Sequence, residues 1–172
     1  KALSVSKIGK LAARLNIKAK CESKDCWGRK LFRGVNPINM DAKGRIAMPS
    51  KYRDRLVDAC AGRLVATIHL QDKCLLIYPL PAWEEIEQEI QELPSLKPEV
   101  GRLKRLLLGY ASDIELDSSG RLLLPSALRA HAGLDKKVVL VGQGKKLELW
   151  SEPQWDAERE SGLGQAQDQP LP

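Results

Sequence analysis

Apolar and polar positions alternate with a period of two in short stretches of this chain, the rhythm of half-buried strands. Ile38 and Met40 flank Asn39, and Ile46 and Met48 alternate with Arg45 and Ala47. Between them, Asp41-Ala42-Lys43-Gly44 has Asp first and Gly fourth, a composition that suits a type I turn. Pro49-Ser50 ends the second stretch, and Ser50 is expected to cap a short helix through Tyr52, Arg53 and Leu56. Apolar runs at 64–70 and 74–78, split by Gln71-Asp72-Lys73, predict two further strands.

The same plan then recurs, and the recurrence is the most informative feature of the sequence. Residues 41–53 align without a gap on residues 117–129, with six of thirteen positions identical. The shared residues are Asp41/Asp117, Gly44/Gly120, Arg45/Arg121, Pro49/Pro125, Ser50/Ser126 and Arg53/Arg129. Farther along, Leu75, Pro81 and Trp83 match Leu147, Pro153 and Trp155. In the second copy, strands are expected at 114–116, 122–124, 138–141 and 147–150, with a capped helix at 126–131. A turn at 142–146 joins the last two strands.

Helical spacing joins the copies. Trp83, Ile86, Ile90 and Leu93 recur every three or four residues until Pro94. Val100, Leu103, Leu106, Leu107 and Tyr110 then form a second apolar face. Arg102, Lys104 and Arg105 lie between these, as a solvated helix face or subunit rim in the favoured reading, or as side chains that reach DNA. The organisation is therefore a basic extension at 1–30, a first unit at 35–82, a helical connector at 83–110, a second unit at 111–154, and a tail at 155–172. The Gly/Gln/Asp/Pro-rich tail is expected to be disordered.

Charge refines the picture. The chain carries a formal +6, but residues 1–30 hold nine basic side chains against Glu22 and Asp25. That segment alone is +7, so the remaining residues sum to −1. A basic face on the folded body must therefore be local. Residues 1–30 read as a disordered or non-native extension, with a basic arm that follows a phosphate backbone as the functional alternative. No apolar run approaches the roughly 18 residues of a helical membrane span. Four cysteines among 172 residues are too few for a disulfide scaffold and suit a reducing compartment. Cys21 and Cys26 are half a metal site with nothing to complete it. His69 and His131 are read as structural, and Cys60 and Cys74 as small buried apolar groups. No nucleotide-binding Gly-rich motif or Ser-His-Asp arrangement is present, so neither an enzyme nor a cofactor is expected.

What remains is Asp-x-x-x-Arg, present twice. The Asp and Gly have a turn-forming reason to be there. Arg45 and Arg121 are harder to explain that way, because alternation turns them away from the apolar face while the residues inside the turn change. An Asp across the turn can hold the guanidinium in one orientation, and an Arg fork so held suits guanine O6/N7 or a phosphate. Lys43 adds a cation that the second turn lacks.

Five ordered motifs also carry a resemblance: Leu31-Phe32-Arg33-Gly34, residues 41–49, residues 74–83, residues 105–110 and residues 138–143. Together they resemble the MraZ family of bacterial regulators, built from two SpoVT/AbrB-type domains, over about residues 31–155. The resemblance implies an α+β, mainly β fold. It is a tandem swapped-hairpin AbrB-like β-barrel with a helical connector, whose chains assemble into a ring. It further implies a cytoplasmic, nucleoid-associated, sequence-specific DNA-binding repressor of the division and cell wall gene cluster. Its partner would be double-stranded DNA bearing G-rich direct repeats in its own upstream region. The DNA-binding residues would be Asp41, Lys43, Arg45, Asp117 and Arg121. Leu31 stands where family members start with Met, so it is expected to be the true start. Alternatives from other classes are an AbrB-like antitoxin that binds a protein partner and a ring-forming interaction scaffold.

Overall fold

The two sequence copies fold through the same succession of elements and then exchange strands. The computed structural model describes residues 31–94 and 97–168. The basic extension, with Cys21 and Cys26, lies outside the described residues, as do residues 169–172. The first copy supplies β1 (Phe32–Asn39), β2 (Arg45–Ala47), α1 (Ser50–Cys60), β3 (Arg63–Ile68), β4 (Leu75–Pro79) and α2 (Leu80–Glu92). After α3 (Pro98–Leu107), the second supplies β5 (Ser112–Glu115), β6 (Arg121–Leu123), α4 (Ser126–His131), β7 (Lys137–Gly144), β8 (Lys146–Ser151) and α5 (Glu152–Asp168).

All pairings between strands are antiparallel, and they cross between copies. β1 pairs with β7 along its whole length, from Phe32↔Gly144 to Asn39↔Lys137. Its counterpart β5 pairs with β3, with Ile114 opposite Leu64. The hairpins β3–β4 and β7–β8 meet through β4 and β8, where Leu76 faces Glu148. The resulting sheet runs β1-β7-β8-β4-β3-β5, and β2 and β6 form a separate two-stranded ribbon. Isolated bridges at Met40↔Ile46 and Leu116↔Leu122 join ribbon and sheet. The mixed, mainly antiparallel character agrees with the sequence reading. Hydrogen bonding draws two sheets, however, not one closed barrel.

Burial explains the exchange. Ile46, Tyr52, Leu56 and Ile77 of the first copy share one core with Leu122, Leu128, Leu140 and Leu149 of the second. Neither copy closes that core alone. β1 starts earlier than its alternation suggested, because the Phe32 ring lies edge-on to Tyr52 at 5.4 Å. The Tyr52 hydroxyl donates to the Arg33 carbonyl and accepts from Asn36 Nδ2 at 3.1 Å. Gly142 lets the β1 backbone come close, since a Cβ there would stand 2.4 Å from the Arg33 nitrogen.

Three expectations need correction. Ser50 and Ser126 do not cap their helices. Pro49 and Pro125 occupy the cap positions in extended conformation, and neither helix start has a side-chain cap hydrogen bond. The Pro49 carbonyl instead takes the N–H groups of Tyr52 and Arg53 at 2.9 and 3.1 Å. The tail is not disordered from Trp155 on, because α5 continues to Asp168. Its first turns are anchored, with Trp155 against Trp150 at 6.0 Å between rings. Glu152 also lies 3.7 Å from Lys137. Lys104 does not reach outward. Its ammonium donates to the carbonyls of Gln91 and Leu93 at the end of α2, tying the connector helices together.

Candidate nucleic-acid interface

Each turn is built from its Asp outward. Asp41 Oδ1 accepts the backbone N–H groups of Lys43 and Arg45, both at 2.9 Å. Asp41 Oδ2 takes Arg45 Nε at 2.7 Å. The backbone closes the same loop, with Gly44 N–H on the Asp41 carbonyl at 3.0 Å and Asp41 N–H on the Arg45 carbonyl at 2.9 Å. The second turn repeats this bond for bond. Asp117 Oδ1 accepts from Ser119 and Arg121 at 2.9 Å each, and Oδ2 takes Arg121 Nε at 2.9 Å.

Two consequences follow. The carboxylates are held below the ordinary carboxylate range, first by the backbone N–H of the Arg and also by its side chain, while desolvation pushes the other way. The guanidinium is engaged on its Nε edge, so among the described residues its terminal Nη pair has no partner. Arg45 and Arg121 side chains keep 30% and 37% of their surface exposed, enough for a ligand to reach that end. A fork fixed at one edge and open at the other is pre-organised for a planar acceptor pair.

Pairing of β2 with β6 sets the turns at the two ends of one ribbon, with Arg45 opposite Leu123 and Ala47 opposite Arg121. Ile46 and Leu122 face each other on the core side and are fully buried. The other face carries Arg45, Ala47, Arg121 and Leu123. The ribbon thus presents both forks on one surface, on diagonal positions about 7–8 Å apart at the backbone.

Two arginines that sequence reasoning gave no role lock each turn to the other copy. Arg53, on α1, lies against Gly120 of the other copy's turn and donates from Nη2 to the Met48 carbonyl at 3.0 Å. Arg129, on α4, lies against Gly44 and donates from Nε to the Leu124 carbonyl at 3.1 Å. Backbone bonds make the same crossing, Met48 N–H to the Gly120 carbonyl and Leu124 N–H to the Gly44 carbonyl. The signal was present in the sequence, because Arg53 and Arg129 are identical positions of the aligned copies.

Lys43 is exposed at the first turn and borders an open surface hollow of about 520 Å³, shared with Leu123, Ser126 and Arg129. Arg102 and Arg105 are exposed on α3. His69 accepts the N–H groups of Gln71 and Asp72 on Nδ1, and burial lowers its pKa despite the Asp72 carboxylate nearby. His131 lies tilted against Tyr110, with 5.9 Å between ring centres. Cys60 and Cys74 are buried thiols whose pKa burial raises. Among the described residues, no group of three or more His, Cys, Asp or Glu is placed to hold a metal.

The comparisons with known proteins agree with this architecture of paired copies. The sequence model of the family described as "MraZ protein, putative antitoxin-like" matches twice, over residues 31–106 and 107–162. A protein of Halorhodospira halophila named transcriptional regulator MraZ is 54% identical over 136 residues, covering 79% of this chain and 90% of that protein. Proteins of the same name from Pseudomonas aeruginosa and Thioalkalivibrio sulfidiphilus are 56% and 58% identical over 133 and 130 residues. The shares covered are 77% of this chain and 88% of the first, and 76% of this chain and 86% of the second. With both repeats matched and more than half of the aligned residues identical, this chain belongs to the MraZ family.

Proposed function

We propose that the chain is a transcriptional regulator that reads double-stranded DNA through Asp41–Arg45 and Asp117–Arg121. The observation that carries this reading is the pair of guanidinium groups, each fixed at Nε by its own Asp and open at Nη, on one face of a two-stranded ribbon. A β-ribbon fits the major groove, where guanine offers O6 and N7 to an Arg fork. The family resemblance implies G-rich direct repeats as the sequence class, and guanine is the base that suits an Arg fork. Lys43 supplies a phosphate contact beside the first fork.

The finer parts of the reading follow the family resemblance. The two sheets wrap their shared core as a swapped-hairpin barrel, and copies of the chain assemble into a ring. The half-buried Ile86, Leu93 and Leu106 and the exposed Tyr110 are the apolar surface such assembly would cover. The regulator acts on the nucleoid, repressing the division and cell wall gene cluster from its own upstream region.

A gel-shift titration with that upstream fragment tests the proposal, with light scattering on the same samples. A discrete complex competed away by G-rich duplex but not by G-depleted duplex supports it. An intact oligomer that ignores both duplexes would overturn it in favour of a scaffold or of an AbrB-like antitoxin acting on a protein.

A further inference from the structure

The outward face of the ribbon holds one side chain that neither the fold nor the two arginines explain. Leu123 is 57% exposed, on the face opposite the core-facing Leu122. It stands directly across from Arg45, and the Ala47 that aligns with it in the first copy stands across from Arg121. The forks are therefore matched, but their apolar neighbours are not. A lone exposed Leu on an ordinary surface calls for no explanation. This one is set between two oriented forks, beside the Lys43 hollow that it helps to line.

We propose that Leu123 is a specificity-determining residue that contacts the 5-methyl group of a thymine in the major groove, next to the base pair read by Arg45. The inference rests on the DNA-binding reading above. Under that reading the occupant of the face is DNA, and the thymine methyl is the apolar feature that base pairs display in the major groove. Opposed residues of an antiparallel pair have Cβ atoms about 4.5–5.5 Å apart, so Leu123 and Arg45 address the same or the adjacent base step. Ala47 is too short to make the equivalent contact beside Arg121. The two copies thus read different steps: guanine with a neighbouring thymine at one fork, and guanine alone at the other.

The test uses the chain's own upstream fragment in two forms, one with thymine and one with deoxyuridine at every thymine position. Deoxyuridine removes the methyl and leaves base pairing intact. Fluorescence anisotropy should show the unsubstituted chain binding the thymine duplex about threefold to tenfold more tightly, the worth of one or two buried carbon groups. Leu123→Ala should bind both duplexes alike, at the level of the unsubstituted chain on deoxyuridine, with oligomer size unchanged. Ala47→Leu should widen the thymine preference, which tests the same chemistry at the second fork. Equal binding of the two duplexes by the unsubstituted chain overturns the proposal while leaving the DNA reading in place. So does a thymine preference that Leu123→Ala retains, or a loss of oligomer in that variant. No binding to either duplex overturns the DNA reading itself.

Discussion

The two turns differ far less than the segments that lead into them. Both Asp-x-x-x-Arg loops make the same three side-chain bonds at distances that agree within 0.2 Å, 2.7 against 2.9 Å at Nε and 2.9 Å elsewhere. The strands before them diverge, with eight residues in β1 and four in β5. Phe32, Arg33 and Gly34 continue β1, whereas the aligned Leu108, Gly109 and Tyr110 close the turn after α3. Geometry is preserved where the guanidinium is held and relaxed where the strand merely enters. That contrast identifies the forks as the shared element, and Lys43/Ser119 and Ala47/Leu123 as the residues that make the copies unequal.

The most severe way to break the equivalence is to remove one fork at a time. Loss of a good bidentate base contact costs roughly 1–3 kcal/mol, about tenfold or more in affinity. An oligomer repeats the loss at each engaged subunit. Arg45→Ala is expected to abolish operator binding at ordinary salt while leaving oligomer size and melting temperature nearly intact. Arg121→Ala should act in the same direction but less strongly, because its turn lacks Lys43 and the residue across from its fork is Ala47, not Leu123. Arg45→Lys should fail as well, since an ammonium cannot reproduce the planar fork. Anisotropy with parallel light scattering checks all three. Normal binding by both alanine variants would remove the forks as the reading heads.

The glycines test the interlock instead of the recognition. Gly44 and Gly120 have φ of +84° and +72°, a region that side chains rarely adopt. A Cβ would also stand 2.6 Å from the Arg129 guanidinium at Gly44, and 2.1 Å from Arg53 Nε at Gly120. Gly→Ala at either site should cost about 1–3 kcal/mol of stability from backbone strain alone. Gly120→Ala should be the worse of the two, because its neighbour is closer. Denaturant midpoints of the single variants check the order. Equal losses at both sites would show that the Arg53 and Arg129 contacts are slack and that backbone strain alone sets the cost.

Much of this was legible in the sequence. The Asp, Gly and Arg of each turn could be placed because a tight turn and strand alternation constrain local geometry, which short-range patterns record. The exchange of β1 and β5 between copies came only from the resemblance, since strand partners are set by which core a strand can complete. The Arg53–Gly120 and Arg129–Gly44 contacts were missed for the same reason. Both ends were visible as identical positions, but nothing local says that each arginine serves the other copy's turn. α5 was misread because its composition is polar, and its anchor is a pair of tryptophans, Trp150 and Trp155, that come together only in the fold.

A smaller effect separates the two turns electrostatically. Lys43 has Ser119 as its counterpart, so only the first turn adds a cation beside its fork. Lys43→Ala should weaken binding to all duplexes alike and reduce the slope of log K against log salt by about 1. Ser119→Lys should raise that slope by a similar amount without changing which sequence is preferred. A change in guanine preference from either variant would place position 43 among the base-reading residues and not among the phosphate contacts.

The smallest expected effect is in the carboxylates that hold the forks. Asp41 and Asp117 are both pushed below the ordinary value, with the backbone N–H of the following Arg as the largest cause and its guanidinium as a further one. A carboxyl with a lowered folded-state pKa binds fewer protons folded than unfolded between the two values. Its contribution is therefore fully present above the unfolded pKa of about 3.9 and is lost as the pH falls through the lowered folded value. The two Asp side chains should titrate nearly together in carboxyl-carbon NMR, both with midpoints below that of an unfolded Asp. Arg45→Ala removes the guanidinium but keeps the backbone donors, so it should raise the Asp41 midpoint only part of the way and leave Asp117 where it was. An Asp41 midpoint at the ordinary value in the unsubstituted chain would mean that the turn is not closed in solution. A shift of Asp117 as large as that of Asp41 would mean that the two turns are one coupled unit, not two copies of one device.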